Sequence, residues 1–219
     1  MRIFNILSLI ILFVSLQSFA QAKEEQETSY TKTITERAEK IVVPLGIASP
    51  VTAIKVRDVI VLQYRKLNDI YTERDNKVNA AKELKESNKI LSEEQIKNAE
   101  NEVYAQLYIL HSDYISKLMF YLTPEQLEQV KDGMTYGVLP LTYNGYLAMI
   151  PNLTEEQKLQ IKVWLIEARE HAMDAGSSDE KHKWFGKYKG RINNYLSAAG
   201  YDLKKEGEEW QKRIKEEKK

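Results

Sequence analysis

The sequence predicts an all-α fold, a single-domain helical bundle of six or seven helices with one long antiparallel pair. Three observations carry this. Apolar residues recur every three or four positions through most of the chain, Ser/Thr-x-x-Glu/Gln helix-start patterns recur along it, and turn-forming residues gather in a few short stretches. With 43% hydrophobic and 29% charged residues and no cysteine among 219, the chain is neither disordered, disulfide-stapled nor a multi-span membrane protein. Its 32 basic and 32 acidic side chains cancel, so no long-range field draws it to nucleic acid or to an anionic membrane.

The chain opens with Arg2, an apolar run from Ile6 to Leu16, and Ala20-Gln21-Ala22, the layout of a secretory signal peptide over 1–22 that is cleaved. An uncleaved anchor is the rival reading, but polar Asn5, Ser8, Ser15, Gln17 and Ser18 dilute the span. No cysteine is present to carry a lipid, so the expected location is periplasmic or secreted, without membrane attachment after cleavage. Residues 23–29 form a polar leader, 30–210 the helical domain and 211–219 a charged, solvated tail.

Within the domain, Ile34, Ala38, Ile41 and Val42 define a first helix from Tyr30 to Val43. Ser49-Pro50 starts the second, because Ser can cap free amides and Pro is pre-set for the first helical position. Val56 to Tyr71 continues it without a turn residue, so Val59-Ile60-Val61-Leu62 belongs to a long buried helix and not to a strand. A third helix is expected from Ser92 to Tyr121, and the short link Lys85 to Leu91 makes the two antiparallel.

Leu91-Ser92-x-x-Gln95, Leu122-Thr123-x-x-Gln126 and Leu153-Thr154-x-x-Gln157 share one pattern at equal spacing. They read as three capped helix starts and not as a repeat: a long helical pattern succeeds the first, whereas the second runs into a break at Gly133. Between the last two, residues 133–152 hold Gly133, Tyr136, Pro140, Tyr143, Asn144-Gly145, Tyr146 and Pro151 and predict one aromatic-rich irregular loop. The Asn144-Gly145 pair allows either a hairpin or a short helix there. Further helices are expected over 155–175, ending at Gly176, over 177–200, capped by Ser177 and ended by Gly200, and after Asp202.

The chemistry concentrates in Lys181 to Tyr201, which carries five cations and no carboxylate, interleaved with Trp184, Tyr188 and Tyr195. Aromatic faces beside Lys, Arg and Asn donors suit a sugar ring, whose C–H face packs on π-systems while a uronate carboxylate takes charge-assisted hydrogen bonds. Gly186 and Gly190 inside this helix call for compensation, by close packing or close approach of a ligand. The expected contacts are Tyr143, Tyr146, Trp184, Lys187, Lys189, Arg191, Asn193 and Asn194. The bland alternative is a solvated basic face with its aromatics in the core. Glu167, His171 and Asp174 share one helix and are the candidate acid/base groups if the protein is an enzyme, a question the sequence leaves open. His111 reads as a hydrogen-bonded core histidine. No phosphate loop, nucleophile elbow or zinc motif occurs, and neither a metal nor a cofactor is expected.

Val56-Arg57-Asp58, Gln63-Tyr64, Leu67-Asn68, Ile150-Pro151-Asn152-Leu153-Thr154, Gly200-Tyr201-Asp202 and above all Tyr188-Lys189-Gly190-Arg191-Ile192-Asn193-Asn194-Tyr195-Leu196 resemble domain of unknown function 3826. That resemblance implies a secreted bacterial protein, often encoded among polysaccharide-utilisation genes, with pectin as the associated glycan. The Leu-Thr-x-x-Gln motifs also resemble periplasmic chaperones and stress sensors of the Spy and CpxP type, over those two short stretches only. The expected function is therefore that of an exported accessory of plant-polysaccharide use that binds an acidic oligosaccharide. The alternatives are a periplasmic chaperone or envelope stress sensor, or a glycan-active enzyme.

Overall fold

The computed structural model describes residues 25–217; the signal peptide expected over 1–22 lies outside them. The described residues are all-α, with eight α-helices where six or seven were expected. They are α1 (25–42), α2 (Pro50–Glu83), α3 (Lys89–Met119), α4 (Pro124–Met134), α5 (Val138–Met149), α6 (Glu155–Met173), α7 (Ser178–Ala198) and α8 (Leu203–Glu217). Among them none is long and apolar enough to cross a membrane. Contacts group the chain into two compact units divided inside α2, one ending at Tyr64 and one beginning at Arg65.

In the first unit, α1 is already helical at residue 25, ahead of the expected start at Tyr30. Its buried stripe, Ile34, Ala38, Ile41 and Val42, follows the helical spacing and continues to Leu45 in a single 3-10 turn, Val43–Leu45. Gly46, in left-handed conformation, closes that turn, and Ser49 caps α2 by accepting from the Thr52 amide. Tyr30 donates to the Tyr64 carbonyl, and Arg57 pairs with Glu39 at 3.5 Å, so α1 and the start of α2 are tied at both ends of their overlap.

In the second unit, Lys66 pairs with Asp113 at 3.7 Å and Lys77 with Glu102, two links that set α2 and α3 antiparallel as expected. The link between them is Leu84 to Asn88. The third helix starts earlier than its motif suggested: Asn88 is the cap, accepting from the Leu91 amide, and Ser92 is buried a turn inside. The other two motifs are reciprocal capping boxes, Thr123 with Gln126 and Thr154 with Gln157. Buried Leu122 and Leu127 supply the hydrophobic staple of the first.

The stretch 133–152 is not an irregular loop but mostly helix α5. After α4, Tyr136 and Gly137 both take positive φ (59° and 65°), and the Gly137 amide reaches back to the Asp132 carbonyl. That tight turn re-aims the chain, and Pro140 falls in the first turn of α5, where no amide is needed. The additional helix in the count is this one. Leu139, Tyr146 and Ile150 then join Leu153, Ile161, Leu165, Ala168, Ala172, Phe185, Tyr188, Ile192 and Leu196 in a core formed by α5, α6 and α7. Each fully buried Leu, Ile or Phe there contributes about 1.5–3 kcal/mol.

The corner between α6 and α7 is fastened by polar contacts. Ser177 accepts from the Glu180 amide, while the Glu180 carboxylate takes the Gly176 amide. Buried Lys181 donates to the carbonyls of Ala172 and Met173, the last turn of α6, where a cation also suits the helix dipole. Gly200 ends α7 as expected, with the Tyr201 amide bonded to the Leu196 carbonyl and the Gly200 amide to Ser197. Asp202 caps α8, whose Arg213 donates to the last carbonyls of α5 at Ala148 and Met149.

Candidate functional site

A cleft of about 740 Å³ opens in the second unit between the C-terminal half of α2, α3, the end of α6 and the start of α7. Helical spacing builds each wall. Tyr71 and Arg74 come from α2, Tyr104, Tyr108 and His111 from α3, Glu170, His171 and Asp174 from α6, and Lys183, Trp184 and Lys187 from α7. The Lys66–Asp113 and Lys77–Glu102 pairs fix a register that sets Tyr71 opposite Tyr108. Tyr104 and Tyr108 are 70% and 77% exposed, large aromatic faces left open on the α3 wall.

The floor is electrostatic. His111 donates through Nδ1 to Asp174 Oδ2 at 2.8 Å, and its Nε2 lies 3.4 Å from Glu170 Oε2. Hydrogen bonds to Asp174 and then to Glu170 raise the His111 pKa to about 9, so the ring is an imidazolium at neutral pH. Burial alone would raise the Glu170 carboxyl, but the hydrogen bond from His111 and the charges of Lys131 and Arg169 outweigh it and hold it at about 2. Lys131 reaches Glu170 at 3.1 Å, and Arg169, 2% exposed, pairs with Asp132 at 2.7 Å and also with Glu128. These contacts join α3, α4 and α6 under the cleft.

Tyr71 is held by its hydroxyl, which donates to the Asp174 carbonyl at 2.8 Å, and by Gly176 beneath its ring. A Cβ on Gly176 would lie 2.7 Å from the Tyr71 ring, so this glycine exists for close approach. It was expected to end α6, but the helix ends at Met173 with Asp174 as its C-cap. Burial raises the Tyr71 phenol to about 12, keeping it a neutral donor.

The expected site residues divide. Trp184 and Lys187 line the cleft, as do His171 and Asp174 of the acid/base candidates. His171 stacks on Trp184 with centroids 4.3 Å apart, and the Lys187 ammonium lies 5.0 Å from the same indole. Glu167 lies one turn before His171 on α6, outside the cleft lining and 3.7 Å from Arg191. Arg191 lies over Trp164 at 4.6 Å. Tyr146 is buried instead of exposed, its hydroxyl bonded at 2.6 Å to Oδ1 of Asn193, an exposed residue of α7, so the pair is a half-buried link from α5 to α7. Tyr143 packs at the edge of the core near Lys162, while Lys189 and Asn194 are exposed on α7 outside the cleft.

Sequence reasoning missed Tyr71, Arg74, Tyr104, Tyr108 and the cleft position of His111. A register for the α2/α3 pair, read from its complementary charges, would have brought the tyrosines together. His111 is hydrogen-bonded, as expected, but 25% of its side chain is exposed to the cleft. Gly186 and Gly190 have open space where a Cβ would stand, so close packing does not explain them. Among the described residues no group of three or more His, Asp or Glu is arranged to hold a metal.

An all-α protein with an aromatic cleft over a charged floor is the class these features define. The chain belongs to the family described as protein of unknown function DUF3826, which it matches over residues 31–216. No curated protein matches it in sequence.

Proposed function

We propose that this is an exported accessory protein of acidic-glycan breakdown, which holds a uronate-bearing oligosaccharide in the α2/α3/α6/α7 cleft. The observation that carries the reading is the pairing of open aromatic rings with cations around one cavity. Tyr104 and Tyr108 offer free faces for the C–H side of a pyranose, and Lys183 and Lys187 stand on the α7 lip for its carboxylate. The volume, about 740 Å³, falls in the range of small-ligand sites. Export and a role beside polysaccharide use rest on the N-terminal sequence and on the family resemblance.

His111 is not the base of a reaction in this cleft, because both of its ring nitrogens face carboxylates. With its pKa near 9 it stays charged at neutral pH and serves as a fixed cation, not as a base. Titration calorimetry of the mature protein with uronate-containing and neutral oligosaccharides, followed by product analysis, tests the reading. Binding of acidic saccharides that Trp184→Ala and Lys187→Ala each weaken at least tenfold, without turnover, is expected. Turnover that His171→Ala abolishes would move the assignment to an enzyme. Absence of any saccharide binding, with suppression of client aggregation instead, would move it to a chaperone.

A further inference from the structure

Beyond Trp184, outside the residues that line the cleft, α6 and α7 carry further aromatic and cationic side chains. Along the seam between α6 and α7 the helices run antiparallel in a register that sets His171 against Trp184 and Trp164 against Arg191. Helical periodicity puts Trp184, Lys187, Arg191 and Tyr195 on a single flank of α7, the flank beside α6. The result is a row of two ring–cation pairs, about two helical turns apart. Lys187 lies over Trp184, Arg191 over Trp164, and Trp164 meets Tyr195 edge-on at 5.3 Å. Lys183, Gly190 and Asn194 occupy the exposed stripe next to this flank. From Trp184 to Tyr195 the row extends about 16 Å at 1.5 Å per residue.

The row repeats a unit, an indole with its own cation, first as Trp184 with Lys187 and again as Trp164 with Arg191. A surface that repeats ring and cation suits a ligand that repeats ring and carboxylate. We infer that the α6/α7 seam extends the cleft into an elongated track for a polyuronate chain, so that the bound species is a polymer segment with one end in the cleft. This rests on the reading of the cleft given above and names its ligand more narrowly. Glu167, 3.7 Å from Arg191, is the acidic group on the track, and it leaves Arg191 partly engaged until the ligand carboxylate competes for it. Gly190 fits the same picture, since open space stands where its side chain would be. The indole–cation pairs are what separate a sugar chain from an apolar peptide, which would gain from bare rings but not from cations beside each.

The test is affinity against chain length, with homogeneous oligogalacturonates of two and six residues as probes in calorimetry. The hexamer is expected to bind at least tenfold more tightly than the dimer. Trp164→Ala and Arg191→Ala, both outside the cleft, should bring the hexamer down to the dimer's affinity and leave the dimer unchanged. Arg191 is on the surface, so Arg191→Ala keeps the test decisive should Trp164→Ala fail to fold. Equal affinity for both lengths, or hexamer binding indifferent to Arg191→Ala, overturns the track and leaves cleft binding standing. Binding of neither probe overturns both.

Discussion

Replacing His111 by Gln removes the one cation between Asp174 and Glu170 while keeping a hydrogen-bonding side chain of similar reach. Its effect on stability should depend on pH. The folded-state pKa of His111, about 9, stands above the ordinary 6.5, so the protonated ring favours the folded state. That contribution is fully present below about pH 6.5 and disappears as pH rises through 9. A difference of this size corresponds to about 3 kcal/mol at most. The Glu170 carboxyl, held at about 2, shares the same ion pair, so the two contributions do not add. Its own linkage runs the other way, with stability lost as pH falls from about 4.5 toward 2. Urea unfolding of wild type and His111→Gln between pH 5.5 and 9.5 separates this group from lysines and tyrosines that titrate in both. The stability gap between the two proteins should be largest near pH 6 and close to zero above 9. A gap that stays constant, or widens with pH, would refute the assignment of an imidazolium.

Gly176→Ala should push the Tyr71 ring off its seat and cost about 1–3 kcal/mol, seen as a lower Tm and, in the same protein, weaker ligand binding at the cleft. Wild-type stability in that variant would mean the ring has room to move. Arg169→Ala leaves Asp132, Glu128 and Glu170 around a buried void and is expected to destabilise by about 3–5 kcal/mol in chemical unfolding; a loss under 1 kcal/mol would place the guanidinium in water. Gly190→Ala should instead raise stability by up to about 1 kcal/mol, because helix propensity improves and nothing stands in the way. If the ligand approaches there, the same variant binds it less tightly, and a fall in Tm would contradict the open space around this residue.

Helix class, most boundaries and two capping boxes were legible because they follow from local rules of periodicity and end-capping. Ser92 failed as a helix start since Asn88, four residues earlier, offered the same kind of cap, accepting from the Leu91 amide. The aromatic segment misled because Gly, Pro and Asn-Gly usually interrupt helices, whereas here Pro140 sits in a first turn and Gly145 is tolerated inside α5. For the site, Trp184, Lys187, His171 and Asp174 were visible as unusual residues on their own helices. What remained hidden was partnership across sequence: His111 meets Asp174 from 63 positions away, and Tyr146 spends its hydroxyl on Asn193. Such choices are made by the register of one helix against another, which no single window of sequence contains.

Lys181 illustrates how a side chain counted among surface cations can behave as part of the backbone scaffold. Its ammonium sits on the carbonyls of Ala172 and Met173, so acylating reagents that modify its neighbours Lys183, Lys187 and Lys189 should reach it last. The lag between that lysine and the rest is a built-in clock for how often the corner joining α6 to α7 opens, readable by mass spectrometry without any ligand.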